Sequence, residues 1–244
     1  MSELEIYKVK DTADKHYTKF TNGLFNIPFR VLIVGGTMGG KSNFIVNLLL
    51  QNNMYNNFFD GEDIYIISPS IENDEKIKHI ITAKDIPNEN IFNMYDDEIL
   101  MELYSHIEEK YNESIKNKEQ VKNSLIIMDD CGFSGNLRGK NKNSAINKIF
   151  MNGRHINLSC IVSNQYYSQV APAIRANSNG IVLFSLSQKQ IKLVEDDHNY
   201  INTKKFQEIY NKTTEEPHSF FIINYSMSKS QMYLDKNFKS INII

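Results

Sequence analysis

Apolar residues in this chain gather in short unbroken blocks rather than alternating with polar ones. The blocks are Val31-Leu32-Ile33-Val34, Ile64-Tyr65-Ile66-Ile67-Ser68, Leu125-Ile126-Ile127-Met128, Leu158-Ser159-Cys160-Ile161-Val162-Ser163 and Ile181-Val182-Leu183-Phe184-Ser185-Leu186. Runs of this length, bounded by Gly, Pro, Asn or Asp and separated by helical stretches, predict parallel strands buried on both faces. Pro69 ends the second run, because proline cannot extend a ladder. Between the second and third runs, about residues 97–118 predict a helix with Ile99, Leu100, Leu103 and Ile107 on one face and Glu108, Glu109 and Lys110 off it. The expected architecture is α/β, with a mostly parallel central sheet flanked by helices.

The tail has a different pattern. Ser219-Phe220-Phe221-Ile222-Ile223-Asn224-Tyr225 and Gln231-Met232-Tyr233-Leu234 flank a polar segment, Ser226 to Ser230, and predict a C-terminal antiparallel hairpin at the sheet edge. The most polar stretches, about 110–123 and 135–144, are short enough to be surface helix ends and loops.

Between the first strand and the apolar run Phe44-Ile45-Val46-Asn47-Leu48-Leu49-Leu50 lies Gly35-Gly36-Thr37-Met38-Gly39-Gly40-Lys41-Ser42-Asn43. This is G-x-x-x-x-G-K-[ST] in its required setting, a strand entering and a helix leaving. Wrapping a polyphosphate with backbone N–H groups needs residues with wide φ freedom, which Gly35, Gly39 and Gly40 supply. The helix start points its unsatisfied N–H groups at the phosphates, Lys41 reaches the β and γ oxygens, and the Ser42 hydroxyl is placed to ligate Mg²⁺. Residues Gly35 to Asn43 are therefore the expected nucleotide-binding segment. With 244 residues and no Pro/Gly/Ser-rich linker, the chain is read as a single domain: a lead-in over 1–29, a nucleotide-binding core over 30–186, and a C-terminal helix and edge hairpin over 187–244.

Composition narrows the chemistry around this loop. A formal net charge of −2 excludes a generally basic nucleic-acid coat, so any DNA contact must come from a local patch or from repetition in an oligomer. No apolar stretch is long enough to cross a bilayer, and Met1-Ser2-Glu3-Leu4-Glu5 lacks the charged and apolar blocks of a signal peptide, which predicts an intracellular protein. Cys131 and Cys160 lack metal-ligand spacing and are expected to be buried thiols.

The third strand closes on Asp129-Asp130. Beside a phosphate loop, such a pair suits one carboxylate for Mg²⁺, Asp129, and one that orients and deprotonates the attacking water, Asp130. Gln165, at the end of the next strand, is placed to sense the γ-phosphate or hold that water. Arginine's rigid fork stabilises charge on a transferring phosphoryl group, often from a neighbouring subunit. Arg154, in Met151-Asn152-Gly153-Arg154-His155, and Arg175, in Ala171-Pro172-Ala173-Ile174-Arg175-Ala176-Asn177, are the candidates. His155 is read as structural.

In order, GGTMGGKS, LIIMDD, NGRHINLSCIVSNQ and APAIRANSN resemble the poxvirus-type genome-packaging ATPases of large DNA viruses and virophages, in the FtsK-HerA superfamily of P-loop NTPases. The resemblance covers roughly residues 30–186 and implies a RecA/ASCE-like P-loop fold and an ATP hydrolase. Lys41 and Ser42 would hold phosphates and metal, Asp129 would bind Mg²⁺, Asp130 would activate water and Gln165 would be the sensor. Arg154 or Arg175 would reach an adjacent subunit's nucleotide. It further implies a homo-oligomeric ring, hexameric or pentameric, around double-stranded DNA. A capsid portal or vertex protein would be a further partner. The implied location is the host cytoplasm or viral factory, with a transient stay at the capsid vertex.

The candidate DNA contact lies outside these motifs. Gly135-Asn136-Leu137-Arg138-Gly139-Lys140-Asn141-Lys142-Asn143 is a basic loop just past the acids, and copies of Arg138, Lys140 and Lys142 in a ring pore would line it with positive charge. The same loop reads equally well as an ordinary solvated segment. Two other functions stay open: a P-loop kinase, disfavoured by the Asp pair and the lack of an arginine-rich lid, and a nucleotide-gated assembly protein with little turnover. No Asn-Lys-x-Asp segment supports a GTPase.

Overall fold

The computed structural model describes residues 16–134 and 144–243. Its strands are β1 (Arg30–Val34), β2 (Ile64–Ile67), β3 (Ile91–Phe92), β4 (Ser124–Asp129), β5 (Leu158–Asn164), β6 (Gly180–Leu183), β7 (Phe221–Asn224) and β8 (Tyr233–Leu234). The helices are α1 (Lys41–Leu50), α2 (Glu75–Ala83), α3 (Asp97–Asn117), α4 (Ala145–Asn152), α5 (Pro172–Asn177), α6 (Gln188–His198) and α7 (Thr203–Thr213).

One eight-stranded sheet carries them in the order β3-β2-β4-β5-β1-β6-β7-β8. From β3 to β6 every pairing is parallel, and β7 and β8 close that edge antiparallel. The apolar blocks are unbroken because both faces are covered. Leu32, Val34, Ile126, Met128 and Val162 pack into a core with α3, α4, α6 and α7. Val31, Ile33, Leu125, Ile127 and Ile161 pack on the other face with α1, α2 and the aromatic residues Phe25, Phe29, Tyr55 and Phe59. Cys131 and Cys160 are buried in the first core, as expected of thiols without metal spacing.

The predicted helix over about 97–118 is α3. Asp96 starts it by accepting from the N–H groups of Glu98 and Ile99, and Lys118 ends it in the left-handed conformation, φ 60°. The edge hairpin is present, with Ile222 opposite Leu234 and Ile223 opposite Tyr233. Three details differ from the sequence reading. The last parallel strand stops at Leu183 rather than running to Leu186. The Phe184 N–H makes the last bond to β1, at the Val34 carbonyl, and the backbone then turns to other partners: the Phe184 carbonyl accepts from the Tyr210 hydroxyl, which itself accepts from the Leu186 N–H. The C-terminal helix is two helices, α6 and α7, with Asn202 capping the second through the Lys204 N–H. The short strand β3, flanking β2, had no sequence signal.

Parallel strands send their C-terminal ends to one edge of the sheet. Register pairs Val34 with Asn164 and Asp129 with Ser163, so the exits of β1, β4 and β5 stand side by side. Among the described residues no helix is long and apolar enough to cross a membrane.

Candidate functional site

The β1 exit is a glycine loop whose shape its neighbours dictate. A Cβ on Gly35 would lie 2.6 Å from the Cβ of Phe184, and Gly40 adopts φ 113° directly before α1. The Gly39 N–H closes a turn onto the Gly36 carbonyl at 3.1 Å. No side chain caps α1 and no acid stands in its first turn, so the first N–H groups of the helix are left for an anion. Thr37 and Met38 are exposed at the rim of the cleft the loop lines, and Asn43 is exposed on the first turn of α1.

Lys41 is buried, its Nζ donating to the carbonyls of Gly35 at 2.9 Å and Gly36 at 3.3 Å. The Ser42 hydroxyl donates to Asp74 Oδ2 at 2.9 Å. Asp129, the last residue of β4, is 3% exposed with its Oδ1 unpartnered. Burial pushes its carboxyl up to about 6, and the neighbouring charges of Asp130 and Asp74 push the same way, while the Ser163 hydroxyl and Lys41 pull it down. A buried acid with a free oxygen beside a phosphate loop is what a divalent cation would satisfy. Asp129 and Ser42 thus fit the expected metal position.

Asp130 turns out of the strand in the left-handed region, φ 54°, which Asp tolerates better than most residues. Its N–H donates to the Ser163 carbonyl at 3.0 Å, and its Oδ2 accepts from Gln165 Nε2 at 2.8 Å. Asn164 braces this pair: its Oδ1 accepts from the Gln165 N–H at 3.0 Å and its Nδ2 donates to the Tyr166 carbonyl at 3.2 Å. The loop, the two acids and Gln165 line one cleft of about 470 Å³. A second groove of about 590 Å³ adjoins it past Gly40, lined by Asn43, Phe44, Asn47, Phe184, His218 and Phe220 among others.

The arginines are not in this cleft. Arg154 is exposed, its Nε donating to His155 Nε2 at 3.3 Å, and it precedes β5 at the opposite end of the sheet from the loop. Arg175 lies in α5, paired with Asp197 at 2.7 Å and stacked 4.7 Å over the Tyr167 ring. Tyr167 in turn donates to Asp197, and its oxygen is 2.6 Å from His198 Nε2. Neither arginine serves its own chain's cleft, and Arg175 is already committed within the chain. Arg138, Lys140 and Lys142 lie outside the described residues.

Sequence reasoning missed Asp74, together with Ser70 and Asn73 from the β2–α2 connection and Lys76 from the first turn of α2. The capping pattern was legible, an Asp just before Glu75-Lys76-Ile77 with Ile80 following. Its approach to Ser42 was not, because only the sheet order brings these distant positions together.

A parallel sheet whose first strand passes through such a glycine loop into a bare helix start is the P-loop NTPase fold, in its RecA/ASCE-like form. Solved structures agree on the fold. The genome packaging NTPase B204 from Sulfolobus turreted icosahedral virus 2, in complex with AMP, superposes with a TM-score of 0.58 at 19% identity, covering 88% of this chain and 98% of that one. EssC (ATPases 2 and 3) from Geobacillus thermodenitrificans gives 0.58 at 12% identity, covering 86% of this chain and 39% of that one. The profile described as Poxvirus A32 protein matches residues 16–240, and the chain belongs to that family. Uncharacterized protein 088R of Invertebrate iridescent virus 3 is 25% identical over 202 residues, 82% of this chain and 70% of that protein.

Proposed function

We propose that this chain is a Mg²⁺-dependent ATPase that moves double-stranded DNA into a preformed viral capsid. The observation that carries the reading is the meeting at one sheet edge of the Lys41–Ser42 loop, the buried Asp129 and the Asp130–Gln165 pair at 2.8 Å. Family membership and the fold shared with a genome packaging NTPase support it.

Lys41 leaves the loop carbonyls for the β and γ oxygens of ATP, and the backbone N–H groups of Gly40 to Ser42 take the remaining charge. Mg²⁺, held by Ser42 and Asp129, would neutralise charge on the phosphates. Gln165 holds the attacking water against Asp130, whose carboxylate accepts its proton as the oxygen bonds to the γ-phosphorus. The bond from that phosphorus to the bridging oxygen breaks, and ADP and phosphate leave. The adjoining aromatic groove takes the nucleoside, its phenylalanine rings offering an apolar surface to a planar base and its asparagines offering polar edges.

In this reading the chain works as a hexameric or pentameric ring in the host cytoplasm or viral factory, docking transiently on a portal or vertex protein. Arg154, exposed and far from its own loop, serves the neighbour's nucleotide. The Asp130–Gln165 pair supports hydrolysis over the kinase and assembly alternatives, since it sets an acid able to take a proton from water beside an amide able to orient it. Phosphate release by the purified chain, tested with Lys41→Ala and Gln165→Ala, checks the site: both variants should lose at least about a hundredfold in rate. ATP uptake with negligible turnover in the wild type favours the assembly protein, and transfer to a small acceptor favours the kinase.

A further inference from the structure

The β2–α2 connection brings to the cleft a carboxylate that neither the loop motif nor the family match assigns. Asp74 uses its two oxygens differently. Oδ1 caps α2, accepting from the N–H groups of Lys76 at 2.9 Å and Ile77 at 3.2 Å. Oδ2 is turned to the Ser42 hydroxyl, 2.9 Å away, on a different element. A cap needs only the first of these contacts.

Opposite Asp74 in the same cleft, Asp129 presents its unpartnered Oδ1 from a side chain almost without exposure. Acids from α2 and β4 therefore face one small volume beside Ser42. Two carboxylates turned toward one small volume repel each other. Lys41 offsets that repulsion only in part, since its ammonium is hydrogen-bonded to the Gly35 and Gly36 carbonyls, at 2.9 and 3.3 Å, rather than to either acid. A divalent cation relieves that repulsion, and a hydrated one has waters to donate to an acid that does not touch it.

We propose that Asp74 is a positioning residue for the metal–nucleotide complex. It holds the Ser42 hydroxyl in the nucleotide-free chain and, when Mg²⁺ and ATP are loaded, supplies the negative charge that retains the hydrated ion on the α2 side. The start of α2 is thereby tied to the occupancy of the phosphate loop. The assignment rests on the ATP reading of the site.

The test is a Mg²⁺ titration of the full chain carrying a fluorescent ATP analogue, alongside thermal melts without nucleotide. Asp74→Asn keeps an oxygen for the helix cap and removes the charge. It should melt with the wild type and bind the analogue equally in chelator, yet need about tenfold more Mg²⁺ for half-saturation. Asp74→Ala should show the same Mg²⁺ shift with a lower melting temperature, and Asp74→Glu, charged on a longer arm, should recover part of the response. A half-saturation within about twofold of wild type in Asp74→Asn and Asp74→Ala overturns the proposal and leaves Asp74 a helix cap. A wild-type chain that takes up no analogue at any Mg²⁺ concentration overturns the ATP reading itself, so the two failures are told apart.

Discussion

Asp129 is held at the end of β4 under a burial penalty that a proton or a bound cation relieves. Its ordinary value is 3.8 and burial pushes it up to about 6, so between those values the folded chain keeps a proton that the unfolded chain releases. Stability from this residue is therefore fullest below the unfolded value and is lost as pH rises through about 6. Asp129→Asn should stabilise the nucleotide-free protein at pH 7.5 by on the order of 2 kcal/mol in urea denaturation, with the gain vanishing near pH 4. The same variant should lose the added stability that Mg²⁺–ATP gives the wild type. Gly132 makes a second demand: a Cβ there would lie 2.1 Å from Asn164 Oδ1, the atom that positions the Gln165 N–H. Gly132→Ala should displace Asn164, slow hydrolysis by about tenfold or more and cost about 1–3 kcal/mol, read by kinetics and denaturation on one sample. Lys41, Ser42, Asp129 and Gln165 could be picked from the sequence because each sits at a fixed offset from an apolar strand. Asp74 could not, since its partner Ser42 is close only after α1 and β2 have packed.

Elements were legible in proportion to how completely they are buried. Strands β4 and β5 are buried at every position, and their unbroken apolar blocks give them away. Strand β3 has only two half-buried residues, too few for any periodicity to register. Division of the tail into α6 and α7 depends on local bonds over Asn199 to Asn202, where Asn199 Oδ1 accepts from the Ile201 N–H and Asn202 Oδ1 from the Lys204 N–H. Phe206 then anchors α7 to the hairpin edge-on against Phe221 and Tyr233, at 5.7 and 5.8 Å between ring centroids. Phe206→Ala should cost about 3–5 kcal/mol, and Asn202→Ala about 1 kcal/mol, by urea denaturation. Equal effects would contradict the packing described for α7.

At the scale of the whole molecule, one chain holds the loop, the acids and Gln165 together but keeps both candidate arginines away from them. In the proposed ring, Arg154, exposed at the opposite end of the sheet from the loop, is freer to reach a neighbour than Arg175, which Asp197 already holds. Arg154→Ala should therefore depress turnover in the assembled protein, and mixing it with Lys41→Ala chains should restore activity only where an intact loop meets an intact arginine. The family was legible because its motifs follow one another in order, whereas subunit contacts leave no such trace in a single sequence. The proposed action on DNA would require a chain of net charge −2 to concentrate its positive charge locally, so stimulation by DNA should fall steeply with added salt. The most direct test of the central claim is the rate of phosphate release with and without double-stranded DNA at low salt. The account predicts a DNA-stimulated rate that is lost in Lys41→Ala, and a wild-type rate indifferent to DNA would contradict it.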